Sequence, residues 1–422
     1  MNALHDTYLL GYRRPGASRG PLVDDSTRDP ICPETGGVLE AAYDLDAAGA
    51  ALDRDSFDGG ARIWSWRALL PVRDPARVCS LDEGGTPLLH NRRLGEALGL
   101  QCLYLKDESR NPTGSFKDRG ASVTVSKCRE VGHRGLTVAS SGNLACSLSS
   151  YAAAAGLEFH GFIREDTSAT NLLHGIISQQ HFYIVPGDML EGTALAAAVA
   201  KRYRFFHAVQ PYNLFRVEGK KTLAFEICAQ LGWRVPDRVL VPTSGCTNAL
   251  ALHKGFSELR ALGWIATLPA IDLVQAEGCA PVVDAFEAGA PVSRSRGPGT
   301  ALLGMGHPHP SAGDAAVEVM RVTGGVGYCV ADQAEFEAQR HVAKLEGLFL
   351  QPASVTPIAA LAALDEATRA RLRGQTIVWI GTGTGKNQIE APLAQCLPPP
   401  RLGDLGAFAK LNPTLADSNG ST

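Results

Sequence analysis

Short apolar runs alternate with longer alanine- and leucine-rich stretches from residue 102 onward, and this alternation restricts the chain to few folds. The runs at 102–105, 136–139, 161–163, 239–241, 271–274 and 377–380 are strand-sized and mostly bounded by Gly, Ser, Asp or Pro. Between them lie stretches of helical length, such as 145–155 and 192–203. A strand that is apolar at every position must be buried on both faces, so the pattern predicts an α/β protein whose parallel sheets are covered by helices. Open sheets of this kind bind their ligands outside the carboxyl ends of the strands. The loops that follow the strands are therefore where chemistry is sought.

At 422 residues the chain is long enough for two lobes and a well-buried core. With 45% hydrophobic and 20% charged residues it reads as an ordinary globular protein, and a net charge of −3 gives no positive footprint for nucleic acid or an anionic membrane. A small-molecule partner is expected. Residues 1–16 lack an apolar leader, and no run approaches the roughly twenty apolar residues of a membrane span, which predicts a cytoplasmic protein. Ten cysteines are scattered without a C-x-x-C pair, so reduced thiols are expected and no metal site.

One lysine stands apart. Lys117 lies in NPTGSFKDRGAS at 111–122, a Gly- and Pro-containing turn that opens on a helical stretch. Such a turn supplies backbone freedom and a helix cap, and so can fix where a side chain points. A lysine that attacks an aldehyde must be partly desolvated, so that some of its amine is neutral. Three further turns follow predicted strands. SSGN at 140–143 can present N–H groups to a carboxylate, TSGCTN at 243–248 can wrap amides round a dianion at a helix start, and GTGTG at 381–385 carries two hydroxyls. Taken singly, each is equally well explained as a capping turn.

In this order, SFKDR at 115–119, SSGN at 140–143, VPTSGCTN at 241–248 and TGTG at 382–385 resemble the pyridoxal-phosphate enzymes of the second fold type, the tryptophan synthase β-like group. Within that group they are most similar to the threonine synthase family. The resemblance runs from about residue 31 to 387. It implies a two-lobed fold with pyridoxal 5'-phosphate in the cleft: an irregular N-terminal arm at 1–60, a large cofactor-binding lobe at 61–120 plus 231–395, a smaller mobile lobe at 121–230 and a flexible tail at 396–422. A homodimer is expected by the same resemblance.

The resemblance also assigns roles. Lys117 is the catalytic residue and carries the cofactor; Asn143 faces the cofactor's phenolic oxygen; Ser244, Gly245, Cys246, Thr247 and Asn248 form its phosphate cup. Thr382 faces the pyridine nitrogen, with Thr384 as the alternative, and a neutral hydroxyl there favours elimination and replacement over transamination. Ser140, Ser141 and Gly142 receive the substrate carboxylate. Arg216, in FRVEGKKT at 215–222, matches the arginine that grips the substrate phosphate; a structurally paired arginine is the other reading.

The chain also departs from the family. Leu144, Gln210 and Pro211 stand where donors to the substrate phosphate are common, and Gln351 replaces a glutamate. CPETGG at 32–37 resembles half of a zinc ribbon in which Thr35 has replaced a cysteine, so no zinc is expected. His307 and His309 are flanked by prolines and read as a surface turn, or as a contributor to substrate choice, rather than as metal ligands. The expected activity is a threonine synthase-like elimination and replacement on phosphohomoserine, a carbon-oxygen lyase reaction. The alternatives are β-elimination or β-replacement on serine, threonine or phosphoserine, as in dehydratases or cysteate-synthase-like enzymes, and cofactor binding without turnover.

Overall fold

The apolar runs become the inner strands of two parallel sheets. The computed structural model describes residues 7–16, 21–26, 30–32, 35, 37–140, 142–165, 167, 169–186, 189–209, 213–295, 297, 299–302, 304–389 and 410. The chain divides after Gln388 into two units, Met1–Gln388 and Ile389–Thr422. The strands of the first unit are β1 Leu9–Arg13, β2 Glu40–Tyr43, β3 Leu88–His90, β4 Cys102–Asp107, β5 Gly135–Ala139, β6 Glu158–Ile163, β7 His181–Ile184, β8 Phe206–His207, β9 Arg238–Pro242, β10 Ala270–Ala276, β11 Gly327–Val330 and β12 Thr376–Gly381. Its helices are α1 Leu45–Ala51, α2 Arg92–Leu98, α3 Lys117–Glu130, α4 Asn143–Ala155, α5 Leu173–Ile177, α6 Met189–Tyr203, α7 Phe215–Gln230, α8 Thr247–Ala261, α9 Pro281–Ala288, α10 Gly313–Thr323, α11 Asp332–Glu346, α12 Thr356–Ala362 and α13 Glu366–Leu372.

The larger sheet has the order β11-β10-β9-β12-β4-β3 and is parallel except for the antiparallel edge strand β3. The second, β7-β6-β5-β8, is parallel throughout. Ile377, Val378, Trp379 and Ile380 of β12 and Val239 and Val241 of β9 are completely buried, as strands covered on both faces require. One apolar cluster joins α7, α8 and α10 to β9 and β10; another joins α2, α11 and α12 to β4 and β12. The predicted strand at 161–163 is the end of β6, and the helical stretch at 192–203 is the body of α6.

Strands the periodicity did not mark are short or peripheral. β7 is an edge strand with largely exposed side chains, and β8 has two residues. The segment expected to be an irregular arm is partly regular: β1 and β2 pair antiparallel and α1 follows. Tyr12, Leu9 and Tyr43 reach the cluster formed by Ala121, Val125 and Phe215. Glycines and aspartates between these few inward residues leave no readable period.

Three helices cross unusually closely. A Cβ on Gly219 of α7 would lie 2.0 Å from the Arg119 carbonyl oxygen of α3, and one on Gly255 of α8 would lie 2.4 Å from the Lys221 carbonyl oxygen of α7. Only glycine admits such approach. The crossing sets the N-terminal parts of α3, α7 and α8 beside one another.

Candidate active site

Four loops leave the carboxyl ends of parallel strands: 108–116 after β4, 140–142 after β5, 243–246 after β9 and 382–385 after β12. The first is locked to the last. Ser115 pairs with Gly383, the Phe116 N–H donates to the Thr382 carbonyl at 3.1 Å, and the Thr384 N–H donates to the Gly114 carbonyl at 2.8 Å. Gly114 has φ +80°, and a Cβ there would strike the Thr384 methyl, so the turn requires glycine twice over. Asp118 fixes the other side: its carboxylate accepts from the Thr113 N–H at 2.7 Å and hydroxyl at 2.5 Å, and from the Ser147 hydroxyl of α4 at 2.5 Å. Burial raises the Asp118 carboxyl to about 6 despite these bonds.

Lys117 is the first residue of α3. It is half-buried, and protein surrounds it closely enough that burial is the main influence on its amine, with the Arg216 charge second; together they lower its pKa to about 7. Its Nζ stands 4.1 Å from the centroid of the Phe116 ring. Lys220 Nζ stands 5.0 Å from the same ring and donates to the Thr247 hydroxyl at 2.7 Å. Lys220 is fully buried, and its amine is pushed well down by burial, then by Lys117 and Arg216. Arg216 is buried at 6% exposure, its Nε has no partner among the described residues, and burial lowers its pKa to about 10. Among the described residues none of these three cations forms a salt bridge, whereas Lys106 and Lys221 both do.

Thr247 opens α8 on the side where Lys220 reaches it. The helix is preceded by Ser244, Gly245 and Cys246; Cys246 is held at φ +64°, a left-handed conformation that a non-glycine residue adopts only under strain. The first N–H groups of α8 have no intrahelical acceptors and face outward with the positive end of the dipole. In that first turn Asn248 is buried and its side-chain oxygen lacks a partner among the described residues.

Asn143, at the start of α4, donates to Gln351 Oε1 at 2.8 Å and accepts from Asn387 Nδ2 at 3.0 Å. Thr382 shares a hydrogen bond of 2.9 Å with Ser354, whereas the Thr384 hydroxyl accepts from the Lys386 N–H and closes its own turn. The structure thus brings Lys117, Asn143, Thr382, Arg216 and the turn 244–248 into one neighbourhood. Ser140 and Gly142 precede Asn143 directly; Ser141, Gln210 and Pro211 lie outside the described residues. Leu144 is buried in an apolar cluster and presents no polar group. His307 and His309 are both exposed. The Cys32 turn is closed by its N–H donating to the Gly37 carbonyl at 2.8 Å, with Pro33, Glu34 and Gly36 outside the described residues. Among the described residues no three His, Cys, Asp or Glu side chains gather as metal ligands do.

Sequence reading missed the buried charge network behind this turn. Arg119 donates to Glu108 through Nε and Nη2, both at 2.7 Å, and to Glu226 through Nη1 at 2.5 Å and Nη2 at 2.8 Å. Lys106 completes it, 2.7 Å from Glu226. The only sequence signal was the Asp118-Arg119 pair directly after Lys117, since buried charges leave no periodicity. Lys221, the sequence neighbour of Lys220, is paired with Glu218 and Glu258, each at 2.7 Å. It points away from the cluster because it is one residue round the helix from Lys220.

This donor set suits a flat aldehyde that bears a phosphate. An amine that is partly neutral near pH 7 can react with the aldehyde, a helix N-terminus beside buried cations can neutralise the phosphate, and neutral amides and hydroxyls can bracket a ring. Comparison with known proteins agrees. Residues 79–383 match the family described as pyridoxal-phosphate dependent enzyme. The threonine synthase of Methanocaldococcus jannaschii is 36% identical over 367 residues, 85% of this chain and 89% of that protein. That of Methanosarcina acetivorans is 34% identical over 361 residues, 83% of this chain and 86% of that protein. Among solved structures, maize serine racemase superposes with a TM-score of 0.60 at 18% identity, covering 80% of this chain and 94% of that one. A fungal L-serine ammonia-lyase from Rhizomucor miehei gives 0.63 at 18% identity, covering 74% and 96%. The two-lobed α/β expectation is met by this fold, and the chain belongs to the pyridoxal-phosphate dependent enzymes and, within them, to the threonine synthase family.

Proposed function

We propose that the protein converts phosphohomoserine to threonine, eliminating the γ-phosphate and adding water at Cβ. The observation that carries this reading is a group of three cations: Lys117 and Lys220 share the Phe116 ring, Lys220 donates to Thr247 at the start of α8, Arg216 lies one turn before Lys220, and among the described residues none of the three forms a salt bridge. Such a group calls for anionic ligands, and a phosphorylated amino acid on a phosphorylated cofactor supplies them. Lys117, Asn143, Thr382 and the residues Ser244, Gly245, Cys246, Thr247 and Asn248 would hold the cofactor. When bound, its ring is the electron sink that makes the substrate's Cα proton removable. Lys117, as the free amine, takes that proton; a pKa near 7 leaves it able both to accept and to return it at neutral pH. The turn Ser140-Ser141-Gly142 receives the α-carboxylate, and Arg216 holds the distal phosphate with its forked guanidinium. Thr382, being neutral and paired with Ser354, does not stabilise a protonated ring nitrogen, in keeping with side-chain elimination rather than amino transfer.

A second reading is β-elimination from serine, threonine or phosphoserine. Leu144 favours it, because an apolar buried side chain replaces a potential donor to the distal phosphate. A substrate panel decides between them: phosphate release with threonine formed from phosphohomoserine supports the first reading, and ammonia release from serine or threonine without it supports the second. We also propose that the chain works as a cytoplasmic homodimer, with lobe boundaries near residues 120 and 230; among the described residues no helix is long and apolar enough to cross a membrane.

A further inference from the structure

Lys220 has no task in the proposed reaction beyond its charge, yet it is one of the most completely buried side chains in the protein. A buried lysine is ordinarily paired with a carboxylate, as Lys106 and Lys221 are here. The Lys220 amine instead makes one hydrogen bond, to the Thr247 hydroxyl at 2.7 Å, leaving two of its three donors without an acceptor among the described residues. Thr247 is the first residue of α8, and one further buried donor without a partner among the described residues lies on the same helix as Lys220: Arg216 Nε, one turn before it on α7. A fully buried cation with two donors to spare, aimed by its one hydrogen bond at the first residue of a helix, is the complement of a phosphate monoester.

We propose that Lys220 is a direct ligand of the cofactor's phosphate, reaching it past Thr247 at the start of α8, and that Arg216 is left to the phosphate of the substrate. This rests on the reading of the site given under Proposed function. Two phosphate monoesters could claim the lysine, and geometry favours the cofactor's because the hydrogen bond to Thr247 aims Nζ at the cup. The arrangement also explains how this chain manages with Ser244-Gly245-Cys246-Thr247 as its loop. Cys246 is held at φ +64° with its thiol donating to the Ser244 carbonyl at 3.4 Å, and a buried cation adds positive charge beside this loop.

The test compares the wild-type apoprotein with Lys220→Gln and Lys220→Met; methionine fills a similar volume and suits a buried site. Binding of pyridoxal phosphate and of pyridoxal, which lacks the phosphate, is titrated by tryptophan fluorescence, and apoprotein melting temperatures are recorded alongside. A lost charge-assisted bond predicts about ten- to a hundredfold weaker binding of pyridoxal phosphate in both variants, with pyridoxal changed by less than about twofold. Equal losses for both ligands, in variants that melt like the wild type or lower, would mean that the lysine supports the fold and would overturn the proposal. So would unchanged cofactor affinity with a raised KM for phosphohomoserine, which would hand Lys220 to the substrate. Wild-type protein that binds neither ligand would remove the reading of the whole site; wild-type binding with unaltered variants removes only this proposal.

Discussion

Replacing Arg119 by methionine should unfold the protein more than any change at the cleft. Arg119 is fully buried and holds Glu108 and Glu226, themselves buried, through four hydrogen bonds, while Lys106 donates to Glu226, the Thr86 carbonyl and Gln230. With Arg119 the four ionic groups sum to zero; without it a net negative charge stays in a dry interior. Removing one partner of a buried pair costs about 3–5 kcal/mol. Against a typical total of about 5–15 kcal/mol, that is a third or more of the stability. The pH dependence carries a signature. In the wild type, burial would raise Glu226, but the charges of Arg119 and Lys106 outweigh it and bring its pKa down to about 2. Its stabilising contribution is therefore present above the ordinary carboxylate value of about 4.3 and is lost as pH falls through 2. In Arg119→Met the remaining carboxylates repel and their folded pKa values rise above the ordinary value. Their penalty is then largest at high pH and fades as they protonate. The gap between the two proteins, measured by urea unfolding at pH 8, 6 and 4.5, should narrow as pH falls. The double variant Arg119→Met/Glu226→Gln should recover part of the loss. A gap under about 1 kcal/mol at pH 8, or one that widens toward acid, would refute the account.

Lys117→Ala is expected to abolish turnover and the visible absorbance of bound cofactor, since no other described lysine starts a helix in this neighbourhood; a coloured, active variant would sink the assignment. The wild-type protein dialysed against chelator should contain less than stoichiometric zinc by elemental analysis, because Cys32 has no partner thiolates at ribbon spacing. Arg216→Leu should raise the KM for phosphohomoserine about ten- to a hundredfold while leaving apoprotein affinity for pyridoxal phosphate within about threefold. Leu144 lacks a donor and Lys221 is paired, so the wild-type specificity constant for phosphohomoserine should fall when Arg216 is replaced but not when His307 and His309 are. Steady-state kinetics with the double histidine variant check that.

How much of the fold and the site is legible in the sequence depends on what each residue answers to. The strands at 239–241 and 377–380 can be read because burial on both faces writes itself as an unbroken apolar run. The turn at 111–116 can be read because its glycine and proline are demanded locally. Lys117, Asn143 and Thr382 are assigned through motif order, which no single turn would carry. The role of Asp118 as a clamp on Thr113 and Ser147, and of Arg119 as the centre of a charge network, depends on partners 29 and up to 107 residues away. Nothing local encodes such partners. Lys220 and Lys221 are the plainest case: adjacent and chemically identical, one faces Thr247 and the other two carboxylates. Only the rotation of α7 against α8, fixed by the approach at Gly255, tells them apart.

That rotation also explains how the site tolerates its own repulsion. Lys117, Arg216 and Lys220 come from α3 and α7, which cross where Gly219 meets the Arg119 carbonyl and where a Cβ on Gly120 would lie 2.9 Å from Arg216 Cα. At such a crossing the side chains that flank the glycines converge, and they cannot separate unless the helices do. The neutral Arg119 network, two residues along α3, bolts those helices together through Thr222 and Glu226 of α7. Satisfied charges thus hold unsatisfied ones in place. The cost of the unsatisfied set falls on the free protein, and a bound dianion returns it, so ligand binding and stability are linked by mass action. Because the network behind the cleft carries the restraint, the cations stay without salt bridges among the described residues, and burial first, with the Arg216 charge second, keeps the pKa of the Lys117 amine low.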